Sequence, residues 1–372
     1  MYEDIRPYND AETAAALKRA SNNRLMEQVS AFLFPGKDPD ILRNTLNTIH
    51  GVDDFQTRVM YPAVRSIIGK TTNGLSYDGL EWFEGDQVYT LLSSHRDIVL
   101  DSAFIQYIFK GNGLPLSEIA VGDNLIYNQF VEDLMRSNRM IKVSRSVSPR
   151  ELYDTSMKLS SYIRMRLSDE HPASVWISHR NGRTKDGNDV TEQGLLKMLS
   201  MSGSSDFAAN MAELRLMPVA VSYEIESCGI KKAYEMYIKQ MMGSYVKRPG
   251  EDIESTILGI MQQKGRVHVT FCEPVTRADL DHCASFDKNE RFRALADIVD
   301  RRILEGYRIW PANIVAAEML TGRAPSDKYE TIQFEKYLKE EINTLPKHMV
   351  DRRVIRDILI KIYATPALRK GL

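Results

Sequence analysis

The chain has 372 residues, of which 43% are hydrophobic and 27% charged, with a formal net charge of −1. That composition belongs to a globular protein with a substantial core and excludes a disordered chain. A net charge so close to zero excludes a global pull on nucleic acid, so any anion site has to be local.

The first ten residues, "MYEDIRPYND", are acidic and polar. They lack a basic n-region and an apolar h-region, and no signal peptide is expected there. Residues 11–34 carry Ala, Leu, Met and Glu at helical spacing, and Pro35-Gly36 is expected to stop that helix. "DPDILRNTLNTI" (38–49) offers an Asp N-cap and a second apolar stripe, and residues 55–70 predict a third helix, or two broken near Pro62. The texture then changes. Residues 75–94 alternate and end in a buried run, which predicts two strands joined near Glu84-Gly85-Asp86. Beyond them the pattern predicts a helix over 97–112, a strand and turn over 116–126, a helix over 127–138 and a strand over 140–145. Residues 148–169 have a good cap and a helical stripe, 173–178 read as a strand, and 192–202 as a helix. The stretches 214–226 and 265–275 read as further strands, and residues 285–372 return to helices. Strands alternating with helices between about 75 and 275 predict an α/β fold. The expected organisation is a helical N-terminal region (1–75), an α/β domain (76–280) and a helical C-terminal region (281–372), with a mixed central sheet flanked by helices.

Cys228, Cys272 and Cys283 show no CxxC spacing, so neither a disulfide framework nor a zinc site is expected, and a reducing compartment is the default. No stretch approaches about 18 uninterrupted apolar residues, so no transmembrane helix is expected; attachment to a membrane surface stays open.

In α/β sheets, sites gather where strands end and helices begin. Three strand ends carry unusual charge. The first is His95-Arg96-Asp97 in "LLSSHRDIVLDS", with Asp101 a turn later. A histidine can act as a general base near neutral pH, and a carboxylate can hold its tautomer. The plain alternative is an N-capping aspartate beside a solvated histidine. The second is "MRSNRMIKVSRSVSPR" (135–150), with Arg136, Arg139, Lys142, Arg145 and Arg150 and no acid. It reads as a solvated basic face or as a clamp for phosphate, which forked guanidinium groups suit. The third is "WISHRNGRTKDGND" (176–189), where His179, Arg180, Arg183 and Lys185 surround Gly182. Glycine permits close backbone approach and the cations suit an anionic ligand; a plain basic loop is the alternative. There is no GxGxxG, Walker loop, HExxH or GxSxG.

Taken together and in this order, "SSHRDIVLDSAFI", "GDNLIYNQFVEDLMRSNRMIKVSR", "VWISHRNGRTKDGND", "LMPVAVSYEIE" and "GRVHVTFCEPV" resemble the conserved blocks of the glycerolipid acyltransferase superfamily. That superfamily holds the glycerol-3-phosphate and 1-acylglycerol-3-phosphate acyltransferases, and the likeness leans toward a Bacteroides-type glycerol acyltransferase subgroup of bacteria. The family's first block reads HRSxxD. Here Leu100 occupies the aspartate position, and the candidate partners of His95 are Asp97 and Asp101. The glutamate of the family's EGxRSR-type turn is also absent, with Arg180-Asn181 in its place.

The resemblance implies transfer of a fatty acyl group from an acyl thioester, acyl-CoA or acyl-ACP as co-substrate, to a glycerol-phosphate or lysophospholipid hydroxyl in phospholipid biosynthesis. His95 would take the hydroxyl proton and Asp97 or Asp101 would orient the imidazole. Arg183, with Lys185, Arg180 and Arg145, would hold the acceptor's phosphate. His179 and Gly182 belong to the same turn, and an amide near Gly182 is expected to face the oxyanion. No metal or other cofactor is called for, and no nucleic-acid partner is expected. The expected location is cytoplasmic, with peripheral contact on the inner face of the membrane. The competing reading is a catalytically degenerate lipid- or acyl-thioester-binding protein on the same fold. A phosphate-ester hydrolase or transferase ranks below both, for want of a phosphate loop and a dense acid cluster.

Overall fold

Every residue of "LMPVAVSY" (Leu216–Tyr223) is buried, the pattern of a strand covered on both faces. It is one of seven strands: β1 (Leu75–Asp78), β2 (Thr90–Ser93), β3 (Glu118–Gly122), β4 (Met140–Val143), β5 (Val175–Ser178), β6 (Leu216–Tyr223) and β7 (Val267–Phe271). The computed structural model describes residues 2–34, 36, 38, 40–145, 148–346 and 350–372, without the side chains of Gln28, Phe32 and Pro149. The strands form one sheet in the order β1-β7-β6-β2-β5-β3-β4. All pairs are parallel except β6–β7, so β6, β2, β5, β3 and β4 run one way and β7 and β1 the other. The fold is α/β, with a mixed central sheet flanked by helices and helical regions at both ends.

Period-two alternation gives the sheet its two hydrophobic faces. Leu91 of β2 packs on one side with Phe104, Ile105 and Phe271, and Leu92 on the other with Ile177, Leu214 and Val299. Pro218 interrupts a central strand because its neighbour has ended there: the β6–β7 ladder begins at Val219↔Phe271, and the Pro218 carbonyl accepts from the amide of Cys272 at 3.0 Å.

Several elements differ from expectation. Residues 11–34 form two helices, Asp10–Ser21 and Met26–Leu33, because Asn22 closes the first at its C-cap. Pro35, half of the expected stop, lies outside the described residues. Pro62 does not break its segment: helical backbone runs on from a π-helical turn, Gln56–Met60, into the helix Tyr61–Thr71, with Pro62 in the first turn after the change of pitch. β1 and β2 are not a hairpin: β1 lies at the sheet edge and β2 at its centre, with β7 and β6 between them. Phe207–Glu213, Gly229–Met242, Glu251–Met261 and Arg277–Ala284 are helices where no helix was expected. Gly229–Met242 and Glu251–Met261 join β6 to β7, and Glu251–Met261 walls the site described next.

The N-terminal helices pack their apolar faces on Phe130 of the helix Gln129–Ser137. The C-terminal helices Pro311–Thr321, Lys328–Asn343 and Arg352–Arg369 form a separate cluster with Ile230, Ala233 and Tyr237. Among the described residues, no helix is long and apolar enough to cross a membrane.

Candidate active site

The five co-directional strands bring their C-terminal ends to one edge of the sheet, the usual place for a site in an α/β fold. β2 ends at Ser93, and the chain turns through residues 94–99 before the helix Leu100–Gly111 begins. Asp101, in the first turn of that helix, reaches back. Its Oδ2 accepts from His95 Nδ1 at 3.0 Å, from the Arg96 amide at 2.7 Å and from the Asp97 amide at 2.9 Å. Its Oδ1 accepts from the Tyr223 hydroxyl at 2.7 Å. Four donors surround one buried carboxylate, so its charge is fully satisfied. Placed next to Asp101 and out of water, the Tyr223 hydroxyl is pushed well above the ordinary tyrosine range, mainly by burial, and stays a donor. With Nδ1 committed, Nε2 is the ring atom available to the cleft, and the ring edge is braced by Trp176 at 5.9 Å between centroids.

Asp97 is occupied otherwise. Its Oδ1 accepts from the amides of Val99 and Leu100 at 2.9 and 2.8 Å, an N-terminal cap for the helix, and its Oδ2 accepts from the Ser227 hydroxyl. The two candidate partners of His95 are therefore separated by geometry: Asp101 bonds the ring and Asp97 caps the helix.

His95 opens into a cleft of about 550 Å³. One wall is β3 and the turn after it, from Ala120 to Asn124; another is Trp176, Ser178 and the turn Asn181–Arg183; the helix Glu251–Met261 closes a third with Ile253 and Ile257. Cations line it: Arg145 from the end of β4, and Arg183, Lys185 and Lys247. Arg145 donates to the Asn181 side chain. Lys185 is paired with Glu235. Arg183 Nη1 is buried and without a hydrogen-bond partner among the described residues, an arrangement that costs free energy until an anion or water completes it. An apolar chamber of about 150 Å³ adjoins the cleft and shares Val99, Ser102 and Met140 with it; Met60, Ile67, Tyr107, Leu116 and Ile260 add to its lining.

The turn of residues 179–189 is tied to the histidine turn by backbone and by charge. The Thr184 amide donates to the His95 carbonyl at 2.7 Å, and the Thr184 hydroxyl to Asp189 at 2.6 Å. Asp189 in turn pairs with Arg96 at 2.6 Å; Arg96 pairs with Glu226 at 3.1 Å, and Glu226 with Lys232 at 2.5 Å. Lys232 also donates to the Arg96 carbonyl at 2.7 Å. All four charged side chains are buried, and two cations balance two anions. Gly187 has φ +76 and lies so near the C-terminal helix that a Cβ would sit 2.2 Å from the Ile362 carbonyl oxygen, so that helix presses directly on the turn.

Three of the other candidates do not sit as the sequence reading had them. His179 is wholly buried, its amide extending the β2–β5 ladder to Ser93 and its Nδ1 near the Thr191 hydroxyl at 3.4 Å; it does not line the cleft. Burial pushes its pKa down to about 4, so it is neutral near pH 7. Arg180 does not line the cleft either. Gly182 does, but its φ of +74 and the open space around its Cβ position make it a left-handed turn residue rather than a point of close approach. Conversely, Tyr223, Trp176 and Lys247 were not singled out from sequence. Period-two alternation through "AVSYEIE" was the one signal that a polar ring faced inward at 223.

No family model matches the chain, and no curated protein matches it. Among solved structures, the 1-acyl-sn-glycerophosphate (LPA) acyltransferase PlsC from Thermotoga maritima is similar over 80% of this chain and 95% of that one, at 12% identity and a TM-score of 0.39.

Proposed function

We propose that the protein is an acyltransferase that moves a fatty acyl group from an acyl thioester to a hydroxyl of a glycerol-phosphate or lysophospholipid acceptor. The observation that carries the reading is the His95–Asp101 pair, with its remaining ring nitrogen on a cleft that has cations at its rim and an apolar chamber beside it. These three surfaces match the three parts of such a reaction: a proton to remove, an anionic head group and a hydrocarbon chain.

His95 Nε2 takes the proton of the acceptor hydroxyl as that oxygen attacks the thioester carbonyl. Asp101 holds the tautomer and stabilises the imidazolium that forms. The tetrahedral adduct collapses, the C–S bond breaks, and the thiolate recovers the proton from the imidazolium. The acyl chain lies in the chamber past Val99, Ser102 and Met140. Arg183 and Arg145 hold the phosphate, with Lys185 and Lys247 adding field. CoA or acyl carrier protein carries the donor, and the reaction needs no further cofactor. A general base of this kind contributes about two to four orders of magnitude in rate.

The test is transfer of a labelled acyl group from acyl-CoA and from acyl-ACP to glycerol 3-phosphate, to lysophosphatidic acid and to uncharged glycerol. The parent is expected to acylate a phosphorylated acceptor and His95→Ala to lose roughly 10²–10⁴ in kcat. Thioester binding with no transfer by the parent would establish the degenerate binding protein instead.

A further inference from the structure

The helix Leu100–Gly111 lays one stripe along the apolar chamber: Ser102, Ala103, Gln106, Tyr107 and Lys110 recur at helical spacing and all line it. Most of the chamber wall is hydrocarbon. Gln106 is a polar member of that wall whose hydrogen bonding is half complete. Its Nε2 donates to the Ser117 carbonyl at 3.0 Å and to the Ser117 hydroxyl at 2.6 Å. Its Oε1 is buried and has no hydrogen-bond partner among the described residues. Turning the amide round does not relieve this. Oε1 would then face the Ser117 carbonyl oxygen, which has no proton to give.

A buried acceptor without a donor is costly, and the cost is recovered by whatever brings one. Water is a poor remedy in this chamber. A buried water usually holds about three polar partners, whereas the wall is mostly hydrocarbon and its other two amides, Gln56 and Asn138, bond each other at 2.6 Å. The group that fits is a single donor carried on an otherwise apolar ligand, and a hydroxyl on a hydrocarbon chain is that group. The helix also says where on the chain it sits. Ser102 belongs to both the cleft and the chamber, and Gln106 lies four residues further on, about 6 Å along the axis, and lines the chamber alone. A chain with its carbonyl at His95 has its second and third carbons near the junction. Only a hydroxyl further down the chain comes to Gln106.

We propose that Gln106 is a specificity-determining residue: the chamber takes a fatty acyl chain with a mid-chain hydroxyl, and that hydroxyl donates to Gln106 Oε1. That the chain is then transferred rests on the acyltransfer reading; its binding does not. The discrimination works in both directions. An unsubstituted chain of the same length leaves Oε1 unpaired, and a hydroxyl placed elsewhere on the chain is buried against hydrocarbon. The bond is far from the reacting carbonyl and is made equally before and during transfer, so it acts through binding and leaves kcat unchanged.

The experiment uses the full chain with hexadecanoate and its monohydroxy isomers from carbon 3 to carbon 12. Binding of the free acids is measured by calorimetry, and their CoA thioesters are offered for transfer to glycerol 3-phosphate. The parent is expected to bind one mid-chain isomer, or two neighbouring ones, at least about tenfold more tightly than hexadecanoate and than the 3-hydroxy isomer. Gln106→Met keeps the volume and removes the acceptor, and its affinities for the series should agree within about twofold. Ser117→Ala disturbs the same packing but leaves Oε1 in place, and it should keep the preference; a merely structural role for Gln106 would make the two variants behave alike. Equal affinities across the series in the parent, no measurable binding, a preference for the 3-hydroxy isomer, or a preference that survives Gln106→Met each overturns the proposal. Selective binding in the expected pattern with no transfer of any chain leaves the hydroxyl assignment standing and removes the acyltransfer reading. Transfer of every isomer with equal kcat/KM does the reverse.

Discussion

The Asp101 carboxylate holds His95 through Nδ1 at 3.0 Å while the same oxygen accepts two backbone amides of the turn between them. The spacing of six residues works because the chain bends through Arg96 and Asp97 around that oxygen before the helix starts at Leu100. Asp101→Ala removes the ring's partner and leaves two amides and the Tyr223 hydroxyl unsatisfied. It is expected to cost both stability and at least about 10² in kcat. Asp97→Ala removes a cap instead, costing about 1–2 kcal/mol in urea unfolding while kcat stays within about tenfold. Equal loss of kcat in the two variants would contradict this division of roles.

Arg183 lines the cleft, and its Nη1 is buried without a hydrogen-bond partner among the described residues. On the acyltransfer reading, Arg183→Gln loses a charge-assisted bond of about 1.5–3 kcal/mol, which raises KM for a phosphorylated acceptor by about 10–100-fold. The rate with an uncharged acceptor should move little. Steady-state kinetics with both acceptors checks this, and a uniform effect on the two would place the anion elsewhere.

Arg96 is the hub of the buried charges, paired with Asp189 and Glu226. Arg96→Met leaves two anions against the single cation Lys232 and is expected to destabilise the fold by about 3–5 kcal/mol. Because Asp189 also holds Thr184, and Thr184 bonds the His95 carbonyl, the variant should raise proteolytic cleavage within residues 179–189. Chemical unfolding and limited proteolysis read the two effects separately.

His179 gives the fold a defined acid sensitivity. Burial depresses its pKa to about 4 from an ordinary 6.5. Between those values the unfolded chain takes up a proton at position 179 that the folded chain refuses, so acid favours unfolding. This contribution to stability is fully present above pH 6.5, falls as pH drops, and levels off near pH 4, a total of about 3 kcal/mol. His179→Asn should flatten the pH dependence of the urea midpoint over that window, whatever its effect at pH 7. An unchanged slope would show that other groups carry the acid sensitivity.

The alternation of apolar runs and helical stripes was enough to place most strands, the α/β class and the helical ends, because burial on both faces and period-3.6 stripes are written locally. Local signals also brought out His95, Asp101, Arg145 and Arg183, since a charge at the end of a buried run is anomalous wherever it occurs. The helix Glu251–Met261 escaped because its exposed side is apolar and its fully buried residues are small, which inverts the usual pattern, and Gly229–Met242 escaped because it buries Lys232 and Glu235 beside Ile230, Ala233 and Tyr237, which interrupts its apolar stripe. Strand order was beyond local reach, as β1 and β2 show: adjacency in sequence says nothing when a chain crosses from the sheet edge to its centre. Only the folded chain decided between Asp97 and Asp101, buried His179 away from the cleft, and set Tyr223 against Asp101 across 122 positions. The sequence by itself determined which groups carry charge. Which of those charges meet depends on the three-dimensional paths of β2, β5 and β6, since a hydrogen bond needs about 3 Å and sequence spacing fixes distances that short only within a turn or two.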